Sequence, residues 1–127
     1  MARSQPRPTD TELAILRVLW ARGASTVRQV HEALADTRET GYTTTLKLMQ
    51  IMAEKGLVKR NETERSHVYS PVAGPEQTER QLVQDLVDRA FGGSAAQLVL
   101  RALSADGTTD AELKEIRKLI DDYREKR

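Results

Sequence analysis

A mainly α-helical fold with one small β-hairpin is what this sequence predicts, and three observations predict it. Thr9, Thr26 and Thr109 each stand three residues before Glu12, Gln29 and Glu112, the spacing at which a hydroxyl and a longer polar side chain cap a helix start reciprocally. Apolar residues then recur every three or four positions through most of the chain. One stretch departs from that period, LVKRNETERSHVYSPV over 57–72, and it reads as two short strands joined by a polar tip.

The first eight residues, MARSQPRP, hold two prolines and two arginines without an apolar anchor and read as a flexible arm. Helix one opens at Thr9 or Asp10. Leu13, Leu16, Leu19 and Trp20 form its core stripe, and Gly23 ends it. Helix two opens near Ser25, capped by Thr26, with Val27, Val30 and Leu34 on one face. His31 shares that face and reads as a packing histidine rather than a ligand. Arg28 and Gln29 lie in the first turn, where a DNA phosphate is met.

Helix three runs through residues 43–54. At ~100° per residue, Thr45, Leu48, Met49, Met52 and Ala53 share the side that buries. Thr43, Lys47, Gln50 and Glu54 fall opposite, with Thr44 at the edge. Every amphipathic helix has a polar face, but this one offers hydroxyls, an ammonium and an amide from its first turns. Such a helix suits insertion into the major groove. Lys55-Gly56 supplies a basic last turn and a glycine stop. Strands are expected at Leu57–Arg60 and His67–Ser70, with Asn61–Ser66 as the tip; Lys59, Arg60, Arg65 and His67 make the hairpin positive, offset by Glu62 and Glu64. Three helices followed by a hairpin match a winged helix-turn-helix, whose third helix reads the groove while the hairpin follows the backbone.

After the breaker Pro71–Pro75 only helices are expected. Pro75 begins helix four, with Leu82, Val83, Leu86, Val87 and Ala90 in its stripe. Helix five, from Ser94 to about Leu103, carries Leu98, Val99, Leu100, Ala102 and Leu103 nearly all round. Helix six sets Leu113, Ile116, Ile120 and Tyr123 at heptad spacing beside Leu119. Such a small unit leaves much apolar surface to cover. It either folds back on the first domain or pairs with a second copy. Pairing is the preferred reading, through Leu82, Leu86, Leu98, Val99, Leu103, Leu113, Ile116 and Ile120. The expected organisation is therefore an arm at 1–8, a winged helix DNA-binding domain at 9–73 and a three-helix dimerisation domain at 74–127.

Composition narrows the function. The 127 residues include no cysteine, which excludes disulfides, thiolate metal sites and cysteine nucleophiles, and only two histidines. No nucleophile elbow, phosphate loop or zinc-protease motif is present, nor any ligand-pocket or metal-ligand signature, so neither an enzyme, a cofactor nor a metal is expected. No run of apolar residues is long enough to span a bilayer and no signal-peptide pattern opens the chain, so a cytoplasmic protein without membrane insertion is expected. Residues 1–73 carry 11 Lys and Arg against 8 Asp and Glu, while residues 74–127 carry 9 against 11. The slightly basic first half accords with a nucleic-acid partner.

GYTTTLKLMQIMAEKGLV, the hairpin ending HVYSPV, and LVLRALSADGTTDAELKEIRKLI resemble the BlaI/MecI/CopY group of bacterial repressors over Asp10 to Asp122. Tyr42-Thr43-Thr44, Leu48, Lys55-Gly56 and Tyr69 carry the resemblance. It implies a cytoplasmic homodimer that binds inverted-repeat DNA, with Thr44 and Lys47 at base- or phosphate-reading positions and Thr43 at the helix start. Three departures stand out. The copper-sensing branch has a C-terminal cysteine cluster that this chain lacks. Many relatives have Arg where this chain has Ile51. In the antibiotic-sensing branch a membrane metalloprotease of the BlaR/MecR type cuts the tail; the matching bond here is Arg101–Ala102, where staphylococcal relatives have Asn-Phe.

The expected function is a dimeric repressor of transcription. Arg28, Lys59, Arg60, Arg65 and His67 would position it on phosphate, and Thr43, Thr44, Lys47 and Gln50 would read base edges. Two alternatives from other classes are a winged-helix module that binds protein and a winged-helix regulator gated by a small ligand.

Overall fold

The computed structural model describes residues 7–37, 39–63 and 65–127. Its elements are α1 (Asp10–Arg22), β1 (Ser25–Thr26), α2 (Val27–Leu34), α3 (Tyr42–Lys55), β2 (Val58–Asn61), β3 (Val68–Pro71), α4 (Pro75–Ala90), α5 (Ala95–Ser104) and α6 (Asp110–Glu125). Two compact units, Met1–Val83 and Gln84–Arg127, part inside α4.

Local chemistry sets the helix starts. Thr9 accepts from Glu12 N while Glu12 accepts from Thr9 N, and Thr26 with Gln29 repeats the arrangement. At α6 the hydroxyl arm is made, Thr109 accepting from Glu112 N at 3.1 Å. Ser94 caps α5 in the same way through Gln97 N. The start of α3 differs, because its N-cap is Gly41, which has no side chain to offer.

The core of the first unit is Ile15, Leu16 and Leu19 of α1, Val27, Val30 and Leu34 of α2, and Met49 and Met52 of α3, closed by Val58 and Tyr69 of the sheet. Ile15 is fully buried although the expected stripe omitted it. Trp20 is half-buried rather than central: it packs on the core while its indole N–H donates to Ala73 O at 3.0 Å. An indole needs such a partner when it leaves water, and this one ties α1 to the segment before α4. Thr78, in the first turns of α4, is buried as well.

The sheet has three strands in the order β1-β3-β2, all antiparallel, where sequence reading expected two. Ser25 and Thr26 pair with Tyr69 and Val68, so β3 is central. In the hairpin Val58 pairs with Pro71 and Arg60 with Tyr69, and each strand begins one residue later than expected. The end of α3 explains the shift. Gly56 takes a left-handed conformation at φ 85°, and Leu57 N donates back to Met52 O at 2.9 Å. Leu57 thus completes the helix terminus, and the strand starts after it.

Of the expected arm, residues 1–6 lie outside the described residues. Arg7 and Pro8 line a cavity of ≈ 230 Å³ with Leu16, Leu57, Val72 and Leu82, so this end of the arm lies against the first unit.

The second unit has almost no buried side chain. Val87 is buried; Leu98 and Ile116 are half-buried; Leu86, Val99, Leu103, Leu113 and Ile120 are exposed, as are Leu119 and Tyr123. Gly92 and Gly93, both at positive φ, turn the chain between α4 and α5, with Gly93 N donating to Val87 O at 2.9 Å.

Candidate nucleic-acid interface

Helix α3 displays its two faces as the periodicity requires. Thr45, Met49 and Met52 are buried, and Leu48 and Ala53 are half-buried beside them. Thr43, Thr44, Lys47, Gln50 and Glu54 are all exposed. The buried Thr45 hydroxyl is satisfied by donating to Gly41 O at 3.2 Å, which lets a polar residue sit in the core. At the other end, Lys55 donates to both carboxylate oxygens of Glu12 at 3.0 Å each, pinning α3 to α1. Glu12 is almost wholly buried. Burial alone would raise its pKa, but the Thr9 amide and the Lys55 ammonium outweigh that and hold the carboxyl below its ordinary value.

A cleft of ≈ 440 Å³ opens between α2, α3 and the hairpin. Thr26, Val27 and Arg28 of α2 line it, with Tyr42, Leu46 and Gln50 of α3 and Arg60, Arg65, Ser66, His67 and Tyr69 of the hairpin. Arg28, Gln50, Arg60, Arg65 and His67 are thereby brought to one place, although they come from three separate elements. Lys59 does not join them: strand alternation puts it on the opposite face of β2 from Arg60. Thr43, Thr44 and Lys47 stand on the exposed face of α3, away from the cleft lining.

Two of the three arginines that line the cleft, Arg60 and Arg28, are held differently. Arg60 stands opposite Tyr69 across the hairpin and pairs with Glu62, and these neighbours, Tyr69 first, raise its pKa above the ordinary guanidinium value. Arg28 lies over the Tyr42 ring, its Cζ 5.5 Å from the ring centroid. Tyr42 also meets the His31 ring edge-on, with centroids 5.9 Å apart and planes at 89°. His31 is half-buried against this ring, and its Nδ1 is buried without a hydrogen-bond partner, as suits a packing role. Sequence reading assigned Tyr42 no role in the site. The signal was an aromatic residue at the mouth of a helix whose cap position is glycine.

Arg101 and Ala102 are both exposed and lie inside α5, where Ser104 Oγ donates to Leu100 O and Arg101 O. Among the described residues, no group of three or more His, Asp or Glu is placed to hold a metal ion. Nor is any helix among them long and apolar enough to cross a membrane.

Comparison with known proteins places this architecture. The penicillinase repressor family profile matches residues 8–122. The transcriptional regulator BlaI of Mycobacterium tuberculosis is 38% identical over 92 residues, covering 72% of this chain and 67% of that protein. The Staphylococcus aureus penicillinase repressor is 19% identical over 126 residues, 99% of this chain and 100% of the relative. Among solved structures, the DNA-binding domain of the repressor BlaI superposes with a TM-score of 0.51 at 22% identity, over 58% of this chain and 90% of that one. The monomeric form of Bacillus licheniformis BlaI bound to the blaP half-operator superposes equally, with a TM-score of 0.51 at 21% identity over 59% of this chain and 92% of that one. Both structures share the winged-helix fold. With a family match over nearly its whole length, this chain belongs to the penicillinase repressor family of DNA-binding transcriptional repressors and is not an enzyme.

Proposed function

We propose that two copies of this chain bind an inverted-repeat operator in double-stranded DNA, one winged helix to each half-site. The observation that carries this reading is the cleft that gathers Arg28, Arg60, Arg65 and His67 beside the exposed polar face of α3. Arginines at such a place neutralise phosphates and fix register. Thr43, Thr44, Lys47 and Gln50 face outward to read base edges, with Lys suited to guanine acceptors and Gln to adenine. Lys59, on the other face of β2, meets a different part of the backbone. The Bacillus licheniformis relative, bound as a monomer to a half-operator, supports one winged helix per half-site.

The tail supplies the pairing. Leu82, Leu86, Leu98, Val99, Leu103, Leu113, Ile116 and Ile120 are left exposed or half-buried within one chain, and a second copy covers them. Cleavage at Arg101–Ala102 by a membrane metalloprotease of the BlaR/MecR type would undo the pair. The linked second half-site would then be lost, on the order of 10²-fold in affinity. Because the bond lies within α5, that helix must unwind locally before a protease can take it. No cofactor takes part, and the protein works in the cytoplasm, where the operator is.

Titration of the purified chain against the DNA upstream of its own gene, with a shuffled duplex as control, tests the reading. Tight, sequence-selective and salt-steep binding is expected, together with a dimer in sedimentation at micromolar concentration. Indifference to DNA at low salt, or a 14.3 kDa species alone, would overturn it. A ligand-gated repressor is the second reading, favoured by the cavity lined by Leu16, Leu57, Val72 and Leu82. It predicts that a small molecule, rather than cleavage of the tail, releases the DNA.

A further inference from the structure

We infer that Tyr42 is a positioning residue for DNA binding, holding Arg28 in place to meet a phosphate and keying the first turn of α3 to α2. This rests on the DNA-binding reading above and goes beyond it by separating two arginines of the cleft, Arg28 and Arg60, into one that is ready and one that is engaged.

The start of α3 has no side-chain cap, whereas α1, α2, α5 and α6 each have one. What meets α2 from this turn is the Tyr42 ring, which touches Arg28 and His31, two residues three apart on one face of α2. The ring is 41% exposed, so burial alone does not fix it; these two contacts do. Thr43 and Thr44 follow directly in the chain, so the orientation of the base-reading turn depends on the same ring.

The manner in which each arginine is held decides its use. A guanidinium lying on an aromatic face is bound through its π-surface, and its five N–H donors point outward from the edge. Arg28 is held in that way and forms no ion pair among the described residues. Its charge and its donors remain available for a phosphate, with its rotamer freedom already reduced. Arg60 is paired with Glu62, so part of its charge is already neutralised before it meets DNA. Arg28 is therefore the pre-organised phosphate anchor of the cleft, and Tyr42 makes it so.

A double-mutant cycle tests this. Affinity for the upstream duplex and for its shuffled control is measured across salt for wild type, Arg28→Ala, Tyr42→Leu, Tyr42→Phe and the Arg28→Ala/Tyr42→Leu pair. Thermal unfolding sets a temperature at which all are folded. Tyr42→Phe keeps the ring and should bind as wild type does. Tyr42→Leu should weaken binding about five-fold and, like Arg28→Ala, flatten the salt slope by up to about one. The pair should lose clearly less than the two single losses combined. Arg28→Ala lies on an exposed site, so its loss of affinity is readable even if Tyr42→Leu folds poorly. Additive losses, or a Tyr42→Phe loss equal to that of Tyr42→Leu, would overturn the proposal while selective wild-type binding stands. Failure of wild type to select the duplex would overturn the DNA reading itself and this inference with it.

Discussion

Replacing Lys55 with methionine removes the cation paired with the buried Glu12 carboxylate while keeping the aliphatic stem. The carboxylate would keep its bond from Thr9 N at 2.9 Å and lose two contacts of 3.0 Å from the ammonium. A hydrogen bond to a charged group contributes about 1.5–3 kcal/mol. The Lys55 side chain is 37% exposed, so water screens the pair and the lower part of that range applies, about 1.5–2 kcal/mol. With a urea dependence of about 2 kcal/mol per molar, the unfolding midpoint at neutral pH should fall by roughly 0.8–1 M. The pH dependence gives a second signature. Glu12 is held below its unfolded pKa, so its contribution is present above that value and is lost as pH falls through the folded one. The gap between wild type and Lys55→Met should therefore be full at neutral pH and close in acid, once the carboxyl is protonated in both proteins. Equal midpoints at neutral pH, or a gap that stays constant into acid, would refute the assignment of this pair as the clamp between α1 and α3.

Met49 is fully buried between the helices, and Met49→Ala should cost about 2–5 kcal/mol by denaturant unfolding. Gly56→Ala meets no steric neighbour, but at φ 85° the added Cβ should cost about 1–2 kcal/mol, read in the same assay. Glu62→Gln releases Arg60 from its ion pair. In the titration with upstream DNA it should bind a few-fold more tightly than wild type and with a steeper salt dependence.

Where a feature depends on neighbours in sequence it was legible, and where it depends on distant chain it was not. The Thr9 and Thr26 capping boxes, the Val27–Val30–Leu34 face and the buried Thr45–Met49–Met52 side of α3 all follow from spacing, and the structure reproduces each of them. The two residues of β1 have no period to detect, and they are a strand only because Tyr69 and Val68 pair with them. The first hairpin strand begins at Val58 because the Leu57 amide is claimed by the helix terminus. In the candidate interface, α3 showed its polar face through its own sequence. The partners of Arg28 and Arg60 did not show themselves, since Tyr42 and Tyr69 reach them only once the chain is folded. Glu12 likewise read as a capping residue, and its bond to Lys55 appears only with α1 and α3 in contact.

Thr26 has two tasks: its hydroxyl caps α2, and its backbone belongs to the sheet beside Val68. The wing is consequently spliced to the helix-turn-helix at its middle strand and is no independent flap. Amide exchange should find Ser25, Thr26 and the β3 amides opening as one cooperative unit with α2, and Arg65 and Ser66 at the tip exchanging sooner. Sequence change at that tip leaves the helices undisturbed, while change at Ser25 or Thr26 disturbs wing and helices together. The outer strand β2 is left as the sheet edge, and its Lys59 and Arg60 discourage another strand from adding there.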